Sequence, residues 1–160
     1  MRRRFAGLLL MGQLILAASA HALTPMPPGL QLLDTMLGNL NDQASYDGVN
    51  PRLDFTLHGK YNYQMVATVD GPLVYIRVNL IALTPFQLAS LDSAQLLKDS
   101  NVDNFYYATL PGSDGTSQFV TGNCIMPVAG LTAKLLGATL SEMVANMDST
   151  ATIWDANLWK

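Results

Sequence analysis

One cysteine, Cys124, is present in 160 residues, so no disulfide can form within the chain and the fold must rest on its hydrophobic core. Charge is scarce at 13% of residues against 49% hydrophobic ones, which excludes a disordered or low-complexity polymer. Glycine-rich phosphate cradles, a G-x-S-x-G nucleophile turn and a D-x-D-x-D-G calcium loop are all missing. Past residue 22 the chain holds one histidine, His58, and one glutamate, Glu142, so the groups that commonly bind metals or run acid-base chemistry are nearly lacking.

What is present begins with an export signal. Arg2, Arg3 and Arg4 precede an apolar run from Ala6 to Ala18, and small residues follow up to Ala20-His21-Ala22. This is the three-part pattern of a secretory leader, with cleavage expected after Ala22. The run contains Gly7, Gly12 and Gln13 and falls short of the roughly 18 apolar residues of a membrane-spanning helix, so no stable span is expected after processing. No cysteine lies near the cleavage point to take a lipid, and the product is expected to be periplasmic or secreted. Removing Arg2, Arg3 and Arg4 from the 9 basic residues leaves six against 12 acids, a formal charge near −6. That balance argues against a general nucleic-acid or anionic-lipid binder.

Residues 23–29 hold Pro25, Pro27 and Pro28 and read as an extended lead-in, after which residues 30–160 form one domain. Leu30, Leu33, Leu37 and Leu40 recur at helical spacing and predict a first helix to about Asn41. Beyond the turn residues Tyr46 to Pro51 the period changes to two. Leu53, Phe55 and Leu57 mark one strand, Tyr61, Tyr63, Met65, Ala67 and Val69 a second, and Leu73 to Leu83 a third. In the third, Val74, Ile76 and Val78 oppose Tyr75, Arg77 and Asn79. Thr84-Pro85 is a helix start, predicting a second helix to about Lys98 with Phe86, Leu88, Leu91, Leu96 and Leu97 on its apolar side. A hairpin follows, Phe105 to Leu110 and Ser117 to Val128, with either Phe119 or Val120 beginning its inward face. Thr132 caps a last helix, and Ser149-Thr150-Ala151-Thr152 should break or bend it before Trp154.

The fold class is therefore α+β, in the order α-β-β-β-α-β-β-α: a three-stranded antiparallel meander plus a hairpin, with three helices. That is the order of the type III secretion chaperone-like fold. The stretch Leu96-Leu97-Lys98-Asp99-Ser100-Asn101 before Phe105-Tyr106-Tyr107, the turn at Asp114-Gly115, and Pro127-Val128-Ala129-Gly130-Leu131-Thr132 before a long helix resemble the bacterial YbjN family. The resemblance spans roughly Leu30 to Trp159. It implies a small α+β domain without catalytic residues, of sensory, regulatory or chaperone-like character, and it carries over no functional residue. The export signal sets this chain apart from a cytoplasmic secretion chaperone.

Candidate chemistry is thin. His58 lies in a predicted turn with no second ligand nearby, and Cys124 has only His58 as a potential base, so it reads as a small buried hydrophobe. Asp99, Asp103 and Asp114 lack calcium-loop spacing and read as solvated turn acids. Tyr61, Tyr63, Tyr75, Tyr106 and Tyr107 can form a ligand face, although packing is the usual use of strand tyrosines. Met143, Met147, Trp154 and Trp159 give the last helix a soft apolar surface, and Trp154, Trp159 and Met147 are the expected partner contacts. The expectation is a non-enzymatic, cofactor-free and metal-free module that binds a protein or peptide, or a second copy of itself. The alternative is a small hydrolase or ligand-processing enzyme using Cys124 or His58, which requires those two side chains to meet in one cleft.

Overall fold

The structure, a computed structural model, describes residues 24–99 and 104–159. The expected leader over residues 1–22 lies outside the described residues, as do Ser100, Asn101 and Asp103. Helix α1 spans Pro28–Asn39 and begins two residues before the expected Leu30, because Pro28 occupies a first-turn position where a missing N–H costs nothing. It buries Leu30, Leu33, Met36 and Leu37. Asp47 then shapes the turn into the sheet, its Oδ1 accepting from the backbone N–H of Val49 and of Asn50, each at 2.8 Å. These bonds hold the carboxyl down to about 2.

Strands β1 (Ala44–Ser45), β2 (Arg52–His58), β3 (Asn62–Asp70) and β4 (Leu73–Leu83) follow. The two-residue β1 has no period of its own and was not foreseen in the sequence. After it come α2 (Pro85–Ser90), α3 (Ser93–Asp99), β5 (Phe105–Pro111) and β6 (Gln118–Pro127). All strand pairs are antiparallel, and the order is β1-β2-β3-β4-β6-β5. The hairpin therefore joins the meander through β6, making one six-stranded sheet. Val120, 1% exposed, begins the inward face of β6, with Phe119 half-buried.

The single helix expected over Pro85–Lys98 is two. Thr84 and Gln87 form a reciprocal cap at the start of α2, but Leu91 takes extended backbone (φ −69°, ψ 126°) and is buried, and Asp92 Oδ1 accepts from the N–H of Gln95 to open α3. Inserting Leu91 into the core turns the chain. Phe86 and Leu97, assigned to the apolar side, consequently face solvent at 83% and 63% exposure. Helix α4 (Ala133–Ser149) is capped by Thr132, whose hydroxyl accepts from Leu135 N–H. It ends where expected. Thr150 leaves the helix, its hydroxyl bonding the Asn146 carbonyl and the Tyr107 hydroxyl, and a short α5 (Ala151–Trp154) and a 3-10 turn (Ala156–Leu158) complete the chain.

The core is a single cluster between one face of the sheet and α1, α4 and α5. Its sheet side is Leu53, Phe55 and Leu57, then Tyr63, Met65 and Ala67, then Val74, Ile76 and Val78, with Cys124, Met126, Phe105 and Tyr107 beyond. The period of two sends every intervening residue to the opposite face.

Candidate functional site: the open face of the sheet

That opposite face holds a concavity of about 380 Å³ whose lining residues all come from strands β3, β4, β5 and β6. Register builds it. Arg77 on β4 lies opposite Val66 on β3 and Asn123 on β6, and Asn123 lies opposite Tyr106 on β5. One step along, Tyr75 lies between Thr68 and Ile125. Ala108 and Leu110 close the β5 side. An exposed arginine thus stands in the middle of a shallow bowl with two tyrosines, an asparagine and an aliphatic rim. Its volume falls within the range of ligand clefts, and its lining mixes apolar residues with a few polar groups, although it is open to solvent along one side.

At the far edge of the same face Arg52 Nε pairs with Asp54 Oδ2 at 3.1 Å. Arg77 has no such partner: among the described residues no acid pairs with it and no side chain accepts from it. The Asn123 amide donates to Thr121 Oγ1 at 2.9 Å, which fixes its orientation beside Arg77. Tyr106 is 42% exposed.

A second depression, about 540 Å³, lies on the helical side between the end of α1, the end of β2 and α4, and includes Asp42, His58 and Asp148. Its polar groups are largely engaged by the fold. Asp148 accepts from the Lys60 backbone N–H at 2.9 and 2.8 Å and from the Tyr63 hydroxyl at 2.6 Å, and His58 Nδ1 lies 2.8 Å from Asn62 Oδ1. Burial raises the Asp42 carboxyl, with the His58 charge opposing that shift. The polar groups on the sheet face are less committed than these, which favours the open face as the site.

The cysteine and histidine of the enzymatic alternative do not meet. Across the sheet Cys124 aligns with Ile76, Ala67 and Leu53, and His58 is five residues further along β2. At standard strand spacings the two are about 14 Å apart across the sheet and about 16 Å along it. Cys124 is buried, and desolvation pushes its thiol up to about 11, away from a reactive thiolate. Asp114 is consumed by its own turn, accepting from Thr116 N–H, Ser117 N–H and Ser117 Oγ, which hold it down to about 2.

Of the expected partner contacts, two lie inside. Met147 is fully buried, and Trp154, 3% exposed, stacks near Tyr61 (5.3 Å between rings) and donates its indole N–H to the Met147 carbonyl at 3.0 Å. The short α5 folds the indole back onto α4, so neither side chain offers a surface. Trp159 is half-buried, its N–H bonded to the Ile153 carbonyl at 3.1 Å. The sequence did place Tyr75 and Arg77 opposite the core residues of β4. Which face the helices leave bare has no local signal.

No protein-family model matches this chain, and no curated protein matches it by sequence. The chain is similar in structure to the solved structure of YbjN from E. coli, a proposed transcription regulator, with a TM-score of 0.58 over 81% of this chain and 92% of that one at 12% identity. The molecule has a YbjN-like α+β fold with an open antiparallel sheet, as the sequence resemblance implied.

Proposed function

We propose that this chain is an exported binding module of the bacterial envelope that engages a protein or peptide partner on the open face of its sheet. The observation that carries the reading is the unmatched pair of sheet faces: one is filled by helices, the other bears Tyr75, Arg77, Tyr106 and Asn123 around a concavity. A YbjN-like fold is in keeping with a binding or regulatory role. Export rests on the leader residues Arg2 to Ala22.

A photo-crosslinking residue placed at Tyr106, on the open face, and separately at the exposed Glu142 of α4, tests the surface in the exported protein. Crosslinks from position 106 and none from 142 are expected, and the reverse pattern overturns the reading. A product of twice the chain's mass makes the partner a second copy. N-terminal sequencing of the same material should begin at Leu23, and retention of Met1 removes the case for a cleaved leader.

A further inference from the structure

Resting on that reading, we infer that the partner presents a carboxylate to Arg77: an extended segment in which an Asp or Glu seats on the guanidinium and the residue two further along packs on Tyr75. The distribution of charge carries this. The whole chain has 12 acids, yet none lines the concavity around Arg77: on the strands of this face Arg52 already neutralises Asp54, and Asp70 ends β3 four residues beyond Val66, the residue opposite Arg77. Other described acids lie in turns, as Asp47, Asp92 and Asp114 do, on the helical side, as Asp148 and Asp155 do, or at the β1–β2 edge of the sheet, as Asp42 does. The concavity thus presents a cation with no acid among its lining residues, and Arg77 is that cation.

The chemistry fits an oxyanion. A guanidinium presents a planar fork of donors that matches a carboxylate in two parallel hydrogen bonds, and such charge-assisted pairs are about twice as strong as neutral ones. The spacing fits an extended chain. Tyr75 and Arg77 are two residues apart on one strand, roughly 6.7 Å, which is the repeat of same-side residues in any extended peptide. A segment lying along β4 therefore meets Arg77 and Tyr75 with residues i and i+2. Val66 and Ile125 flank the line, and Tyr106 offers an aromatic wall two strands away.

The experiment is selection of random displayed peptides on the immobilised mature chain, followed by binding of the enriched peptides to Arg77→Gln, Arg77→Lys and Tyr106→Ala proteins. Enriched sequences should carry an Asp or Glu two residues from an aromatic or aliphatic one. Arg77→Gln should weaken them on the order of tenfold or more, with Arg77→Lys intermediate. Replacing the peptide's own Glu by Gln should cause the same loss, which tests the contact without altering the protein. Peptides that depend on Tyr106 but show no acidic preference, or bind Arg77→Gln unchanged, overturn the carboxylate inference and leave the open-face reading standing. A selection that yields no peptide, or only peptides indifferent to both positions, overturns both.

Discussion

Tyr63 donates its hydroxyl to Asp148 Oδ1 over 2.6 Å, joining β3 to α4 across 85 residues of sequence. The same carboxylate accepts from the Lys60 backbone, so one side chain fastens both the β2–β3 turn and the strand after it to the last helix. Asp148→Ala strands two donors and should cost about 1.5 to 3 kcal/mol, while Tyr63→Phe, which removes one hydroxyl, should cost about 1 kcal/mol. Urea unfolding measures both. An Asp148→Ala protein as stable as its parent would show that the contact contributes nothing.

Stability should fall on the alkaline side for a related reason. Burial raises the Cys124 thiol from 9.0 to about 11, and burial, helped by Asp148, raises the Tyr63 hydroxyl from 10.0. For acids whose folded-state pKa is raised, the stabilising contribution is complete below the unfolded value and is lost as pH climbs through the interval to the folded one. The urea midpoint should therefore decline from about pH 9 upward. Cys124→Ala should flatten the part of that decline between pH 9 and 11, and an identical slope in the variant would refute the assignment.

Gly122 occupies an inward position on β6 between Val120 and Cys124, where a side chain would meet the last helix. A Cβ there would lie 3.1 Å from Phe105, 3.2 Å from the Met147 sulfur and 3.2 Å from Val78. These three are buried and closely packed, so Gly122→Ala should destabilise by about 1 to 3 kcal/mol through overpacking. Thermal unfolding decides it, and a neutral or stabilising effect would mean that α4 shifts freely over the sheet.

The two tryptophans should report different surroundings. Trp154 is enclosed, so its emission should be blue-shifted and resist acrylamide, whereas the half-buried Trp159 should be quenched more readily. Trp154→Phe and Trp159→Phe proteins separate the two signals. Trp154→Phe should also be the less stable, since it gives up the bond to the Met147 carbonyl. Equal quenching of both indoles would contradict the burial of Trp154.

Much of the fold was legible along the chain because periodicity is a local property. Leu30, Leu33 and Leu37 at helical spacing, and Val74, Ile76 and Val78 alternating with Tyr75, Arg77 and Asn79, state which side of each element is apolar. Thr84 and Thr132 state where helices begin, because a cap bonds only its own first turn. Where two local signals compete, pattern alone failed: Leu91 left its helix for the core, Asp92 started another, and Phe86 and Leu97 were turned outward. The site was less legible still. An apolar tryptophan on a terminal helix reads the same whether it meets a partner or its own α4, and only the fold-back of α5 made Trp154 interior. Likewise the sequence set Arg77 on the side of β4 away from the core. That no described helix covers that side, with Asn123 and Tyr106 brought beside it from distant strands, was decided by β6 pairing with β4 and by the helices packing together on the other face. Both are choices among long-range contacts, and no local pattern of residues encodes them.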